Sequence, residues 1–238
     1  MDHFYVDPKD IQGRTLVLRG DEQKHLVRVL RKKVGDRISA TDGRDNSYNV
    51  VIRLLDRGFA ECDILETFNR INEPDVDVTL AVSLLRNPAR FDFLVEKVTE
   101  LGVRGIVPLL CERTVPKHEK HSRLEKIALA ALKQSGRSYL PTVSPLTEFN
   151  ELARDADGYA LRLIPHEGTD GSQFIGEVLK NHTHADSTLI AIGPEGGFSE
   201  RELELARENE FIPVSLGPRR LRSETAAVLT VGWSVGGR

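Results

Sequence analysis

The chain has 238 residues, 39% of them hydrophobic, enough for one large domain or two ordinary ones, each with a real core. No apolar run reaches the length of a membrane span, and two widely separated cysteines, Cys62 and Cys111, fit reduced thiols better than a disulfide framework, so no structural disulfide is expected. The formal charge of -3 excludes a uniformly basic surface, so a polyanionic partner would have to dock on local patches.

The opening stretch, MDHFYVDPKDIQG, has neither a basic n-region nor an apolar h-region, and a cytoplasmic protein is expected. Residues 1–71 read as β-rich. TLVLR (15–19), DRISATD (36–42), SYNVVIRLL (47–55) and FAECDIL (59–65) are short runs of β-branched and apolar residues with turn residues between them, a pattern that predicts a small antiparallel barrel. One helix over 21–33 interrupts them, with Leu26, Val29 and Leu30 on its buried side. From Lys24 to Arg37 six basic residues stand against the single acid Asp36, a local charge of +5. Lys24, Arg28, Arg31, Lys32 and Lys33 are therefore candidate nucleic-acid phosphate contacts, with Arg113 from a second basic run over 113–137.

The acidic stretch NEPDVD (72–77) reads as a linker, and the rhythm changes beyond it. VTLAVSLL (78–85), GIVPLL (105–110), YALRLIP (159–165), TLIAIGP (188–194) and FIPVSLG (211–217) read as strands. Helices are expected after the first, ended by Gly102, and from Ser122-Arg-Leu-Glu125, near 173–181, at 199–208 and at 223–235. This alternation over 72–238 predicts an α/β domain whose mostly parallel sheet is covered by helices on both faces.

In such a sheet ligands gather where loops leave the C-terminal strand ends. Three loops there combine Gly and Pro: IPHEGTDG (164–171), IGPEGGFS (192–199) and LGPRRLRSETA (216–226). Glycines let bare backbone N–H and C=O groups approach a ligand. The spacing fits neither a dinucleotide fingerprint nor a phosphate loop, and Glu195 would repel a pyrophosphate, so a cationic or neutral ligand is expected. His118, His121, His182 and His184 lack metal-ligand spacing, and no metal is expected.

IGPEGGFSERE followed by LGPRRLRSETA, with ELGV (100–103), CERT (111–114) and QSGR (134–137) upstream, resembles the RsmE family, bacterial enzymes that methylate N3 of a uridine in 16S ribosomal RNA of the small subunit. HLVRVLRKKVGDRI (25–38) is similar to that family's N-terminal PUA-like barrel, so the likeness spans nearly the whole chain. The resemblance implies a SPOUT domain over 72–238 whose end threads a trefoil knot, preceded by the RNA-binding barrel over 1–71. It also implies a homodimer. The chain departs from the family at Arg86, where lysine is common, and at Arg220, where an apolar residue is usual.

The implied methyl donor is S-adenosylmethionine. Its pocket would be built from Pro165, His166, Glu167 and Gly168 of the first loop, then Ile192, Gly193, Pro194, Glu195, Gly196 and Gly197 of the second. The third loop would add Leu216, Gly217, Leu221, Arg222 and Thr225. Glu195 or Glu224 would neighbour the sulfonium. Catalytic candidates are Glu224 as base or orienting acceptor, Arg222 beside the uracil oxygens, and Arg137. Two other readings stand beside this one: an RNA-binding module without cofactor, and an α/β enzyme acting on a small metabolite.

Overall fold

The computed structural model describes residues 3–166 and 173–236. These form two compact units: residues 1–73 with 129–140, and residues 74–128 with 141–238.

The first unit holds β1 (His3–Tyr5), β2 (Ile11–Gln12), β3 (Thr15–Arg19), α1 (Gly20–Lys24), β4 (Arg37–Thr41), β5 (Asn46–Asp56) and β6 (Phe59–Asn69). Its sheet runs β1-β4-β5-β6-β3-β2, antiparallel except for the β1–β4 pair. The two ends of that order, β1 and β2, are neighbours in sequence. Laid flat, six strands would put them about 24 Å apart. The connection from Tyr5 to Ile11 reaches at most about 21 Å even when fully extended, and it contains a 3-10 turn at Pro8–Asp10. The sheet must therefore curl, and its concave face encloses Phe4, Leu16, Leu18, Ile38, Val50, Ile52 and Cys62.

The helix expected over 21–33 is not continuous. The α-helical turns end at Lys24 and a π-helical turn spans His25–Val29. Arg31 then adopts a left-handed φ of 53° and turns the chain away. A π turn inserts an extra residue and shifts the phase of every side chain after it. Leu26 stays buried, whereas Val29, expected inside, is 64% exposed.

The second unit begins with β7 (Asp77–Ser83), α2 (Pro88–Leu101) and β8 (Gly105–Leu110). Asn87 caps α2 by accepting the Ala89 N–H, Pro88 fits the first turn, and Gly102 ends the helix at φ 112°. A Cβ at Gly102 would lie 2.4 Å from Pro74 Cγ, so glycine is required twice over. Helix α3 (His121–Ser135), whose residues from 129 onward belong to the first unit, begins one residue before Ser122, so Ser122 lies within the first turn and does not act as its cap. Next come β9 (Thr142–Val143), β10 (Thr147–Glu148), α4 (Phe149–Arg154), β11 (Leu161–Pro165), β12 (Gln173–Phe174), α5 (Ile175–Asn181), β13 (Ser187–Ile192), α6 (Glu200–Glu208), β14 (Ile212–Ser215) and α7 (Ser223–Gly236).

The second sheet runs β10-β8-β7-β13-β11-β14-β12, with β9 on β8, and every pair is parallel. Ala81, Leu189 and Ala191 face α4 and α6 through Phe149, Ala153, Leu203 and Ala206. Strand alternation leaves the buried Leu80, Val82 and Ile190 for the opposite face, where α7 packs on β7, β13 and α2. Helix α7 follows β14, yet β11 separates β14 from β13 in the sheet. The chain thus doubles back across the loop end of the sheet to reach its place, the course that the knotted resemblance implies. The fold is the expected one: a helix-covered parallel sheet preceded by a small β-sheet unit.

Candidate cofactor site

Because the strands are parallel, the exits of β11, β13 and β14 lie at one edge of the sheet. Their loops enclose a cavity of about 810 Å³, within the range of small-molecule and cofactor sites. Pro165 and His166 of the first loop, residues 192–197 of the second, and Leu216, Gly217, Leu221, Arg222 and Glu224 of the third line it. Thr225, expected there, is exposed and is not among the lining residues. Glu167 and Gly168 lie outside the described residues.

The middle loop is a tight turn. Gly197 N–H donates to the Pro194 carbonyl at 2.8 Å, and Gly197 has φ 73°. An added Cβ at Gly197 or at Gly217, φ 106°, would meet nothing within 4 Å. Both glycines therefore answer to backbone angle and present bare main chain to open space. Gly193 differs, since a Cβ there would come 3.0 Å from the Phe198 ring. Gly196 is under neither constraint: its φ is not positive, and a Cβ would make ordinary 3.5 Å contact with Arg113. The backbone angle therefore calls for glycine at Gly197 and not at Gly196.

Support for this loop comes from CERT. Arg113 Nη1 donates to the Gly196 carbonyl at 2.9 Å and to the Phe198 carbonyl at 3.2 Å. The flanking residues hold Arg113 in place. Glu202 accepts the Glu112 N–H on Oε1 and the Ser199 N–H on Oε2, both at 2.8 Å, while Ser199 Oγ accepts the Glu202 N–H. The capping box of α6 is therefore also the clamp between the two loops, and Glu202 is buried to 4% exposure. Thr114 Oγ1 shares a 2.7 Å hydrogen bond with Ser83 Oγ and accepts the Cys111 N–H. Burial pushes the Cys111 thiol up to about 12, which makes it a packing residue rather than a nucleophile. Arg113, expected among the phosphate contacts, here holds the cavity wall.

On the third loop, Ser223 Oγ donates to the Gly193 carbonyl at 3.0 Å and ties α7 to the middle loop. Glu224, 8% exposed, lies 3.6 Å from Arg90 Nε and 4.0 Å from Arg222 Nη1. Arg90, near the start of α2, lines the cavity and had no signal in the sequence, being remote from all three glycine loops. The Glu195 carboxylate accepts the Arg86 main-chain N–H at 3.3 Å, joining the middle loop to the β7–α2 connection.

Arg137 is placed elsewhere. It belongs to the first unit, does not line the cavity, and is 1% exposed with its guanidinium against the fully buried Glu73 carboxylate at 2.5 Å. Glu73 also accepts the N–H groups of Ser138 and Tyr139. The second basic run is likewise divided among partners: Arg123 pairs with Asp92, and Lys133 with Glu22. On the first unit Lys24, Arg28, Arg31 and Lys33 are exposed and Lys32 is half-buried. Among the described residues no group of three or more His, Cys, Asp or Glu could hold a metal ion, and no helix is long and apolar enough to cross a membrane.

Comparison with known proteins agrees with this geometry. A family model described as an RNA methyltransferase domain matches residues 72–234, and one described as an RNA methyltransferase PUA domain matches 18–65. A ribosomal RNA small subunit methyltransferase E of Synechocystis is 35% identical over 95% of this chain and 74% of its own. The crystal structure of a ribosomal RNA small subunit methyltransferase E from Neisseria gonorrhoeae bound to S-adenosyl methionine is 30% identical, with a TM-score of 0.85, over 97% of this chain and 95% of its own. A probable rRNA-methyltransferase from Porphyromonas gingivalis is 32% identical, with a TM-score of 0.86, over 98% and 96%.

Proposed function

Given that the chain belongs to the RNA methyltransferase family whose model spans residues 72–234, we propose that it is an S-adenosylmethionine-dependent methyltransferase acting on N3 of a uridine in 16S ribosomal RNA of the small subunit. The observation that carries this reading is the cavity walled by three glycine-bearing loops at the parallel strand ends.

The residues present fit the cofactor. Main chain at Gly197 and Gly217 faces open space without side chains, as reading an adenine ring by N–H and C=O groups requires. The middle loop, braced by Arg113 and Ser223, is pre-organised and need not be ordered on binding. When bound, the cofactor supplies an electrophilic methyl group on a cationic sulfur.

The chain's own residues then have two tasks, holding the base in line and accepting its N3 proton. Glu224 is the acceptor, and Arg90 and Arg222, both near its Oε1, orient its carboxylate. Arg222, with an exposed side chain, is available to the uracil oxygens, where negative charge develops as N3 loses its proton. We assign residues 72–238 to this chemistry and residues 1–71 to RNA docking through Lys24, Arg28, Arg31, Lys32 and Lys33. We further assign the active form to a homodimer and its place of action to the cytoplasm.

The decisive experiment incubates the protein with labelled S-adenosylmethionine and small subunits that lack the modification, then maps the methylated base. N3-methyluridine in 16S RNA is the expected product. Methylation of transfer RNA alone would overturn the substrate assignment.

A further inference from the structure

Of the arginines among the described residues that line the cavity, Arg90 is the one carried by a helix. It stands in the first turn of α2, where Asn87 caps the helix and accepts the Arg90 N–H on its carbonyl at 3.1 Å, and α2 packs along α7. Just upstream, the Arg86 N–H donates to Glu195 and ties the start of α2 to the middle loop. The Arg90 side chain is therefore positioned by a rigid element, as a group that reads a ligand needs to be.

Arg90 meets Glu224 through Nε, 3.6 Å from Oε1, and Arg222 Nη1 approaches the same oxygen at 4.0 Å. Both distances exceed hydrogen-bond length. The charges attract, yet neither contact uses an N–H, and a guanidinium carries more donors than one carboxylate oxygen can take. Glu224 itself is only 8% exposed, and among the described residues nothing donates a hydrogen bond to its carboxylate. A buried carboxylate of this kind calls for a donor.

The edge of uracil around N3 offers the O4 acceptor, the N3–H donor and the O2 acceptor. Its complement is a donor, an acceptor and a second donor, the set that Arg90, Glu224 and Arg222 bring to one wall. Cytosine mismatches this set twice: its N3 lone pair faces the carboxylate, and its C4 amino group sets N–H against N–H. Loss of the N3 proton also spreads negative charge over both uracil oxygens, so a cation at each stabilises it better than a cation at one.

We propose that Arg90 is a uracil-reading residue. Its guanidinium donates to one of the carbonyl oxygens flanking N3, Arg222 takes the other, and Glu224 accepts the N3–H between them. This rests on the uridine methyltransferase reading above and adds to it a residue that selects uracil over cytosine.

The test compares full-length wild type with R90M, which keeps the apolar stem and removes every donor, and with R90K. Binding of uridine monophosphate, its 2-thio and 4-thio analogues and cytidine monophosphate is followed by saturation-transfer NMR with S-adenosylhomocysteine present. Sulfur accepts hydrogen bonds poorly, so each thio analogue weakens the contact at one oxygen. Wild type prefers uridine monophosphate to cytidine monophosphate and binds each thio analogue several-fold more weakly than uridine monophosphate. In R90M uridine monophosphate binding falls about tenfold or more, and one thio penalty disappears while the other stays. R90K, which still donates, brings the missing penalty back. S-adenosylmethionine affinity stays within about twofold of wild type, and the thermal midpoint is unshifted.

Both thio penalties persisting in R90M, or neither appearing in wild type, overturns the proposal, and the first outcome would leave Arg90 only the task of orienting Glu224. A tenfold loss of S-adenosylmethionine affinity in R90M at an unshifted thermal midpoint overturns it too, by assigning Arg90 to the cofactor. Wild-type protein that bound cytidine monophosphate as well as uridine monophosphate would overturn the uridine reading itself, a result distinct from the others.

Discussion

Arg113 reaches two carbonyl oxygens, those of Gly196 and Phe198, through a single guanidinium nitrogen. The residue that shapes the middle wall of the cavity therefore comes from the exit of β8, more than eighty positions earlier in the chain. Hydrogen bonds to a charged group contribute about 1.5–3 kcal/mol. Arg113→Ala is expected to weaken S-adenosylmethionine binding about 10- to 100-fold in calorimetry while shifting the thermal midpoint little. An unchanged affinity would mean that the loop holds its shape without this clamp.

The two glycines of the middle loop should respond differently. Gly197 sits at φ 73° and Gly196 does not have a positive φ. Gly197→Ala forces a left-handed alanine, at about 1–2 kcal/mol, and should lower both the thermal midpoint and cofactor affinity. Gly196→Ala places a methyl group in ordinary contact with Arg113 and should leave stability within about 0.5 kcal/mol of wild type. Equal effects from the two variants would contradict the turn geometry.

Arg137 and Glu73 are buried together at 1% and 0% side-chain exposure. Removing one partner of such a pair strands the other charge and typically destabilises by about 3–5 kcal/mol. Arg137→Ala should therefore lose activity because it loses structure, with the loss tracking the unfolded fraction in circular dichroism. A variant that stays folded at the wild-type thermal midpoint yet turns over slowly would return Arg137 to the chemistry.

His3 lies against Ser39 Oγ and the Arg137 carbonyl, and burial holds its pKa below the ordinary histidine value of about 6.5. The folded protein resists protonation that the unfolded chain accepts. The stability contributed by the neutral ring is thus complete above pH 6.5 and is lost as pH falls below it toward the depressed value, by at most about 1.4 kcal/mol per pH unit. Urea titrations between pH 7 and 5 should show this slope, and His3→Gln should flatten it. A slope that survives the substitution belongs to other groups.

Helix α7 buries Ala227, Thr230, Val231 and Ser234 within its own unit but leaves Leu229 37% and Trp233 38% exposed on another side. Phe174, 40% exposed, packs edge-on against Trp233 with ring centroids 5.6 Å apart. An exposed aromatic and aliphatic group of this kind suits burial against a second subunit. If the chain pairs through this face as proposed, wild type sediments as a dimer and Trp233→Glu as a 26.6 kDa monomer at micromolar concentration. A wild-type monomer with full activity would remove the dimer from the mechanism.

Periodicity made most of the fold legible. Thr15–Arg19 and Gly105–Leu110 coincide with the strands expected there, and α2 ends at the glycine that the pattern marks. The failures share a cause. The π turn at His25–Val29 and the left-handed Arg31 are local departures that an i, i+3, i+4 pattern assumes away. Short strands such as His3–Tyr5 exist only because a distant partner pairs with them.

The site was legible where it is continuous in sequence, as three glycine loops after apolar runs. It was not legible where it is assembled across the chain: Arg90 lines it and Glu202 clamps its loops from helices whose sequences show only an amphipathic face and a cap. Charge runs misled for the same reason. Arg123, Lys133 and Arg137 read as a basic patch along the chain, but each has an acidic partner from a different segment.

The tie between Ser223 and Gly193 bears on when the protein becomes an enzyme. The loops after β11 and β13 emerge first during synthesis, and the wall after β14 arrives only with residues 216–226. Until α7 has crossed back over β11 to reach β13, the middle loop has no contact from that side, and the cavity lacks Glu224. A ribosome still translating the strands and helices before that point carries a nascent chain with nothing in which to hold a methyl donor. Activity therefore cannot precede that crossing, and a chain still short of α7 has an incomplete cofactor wall.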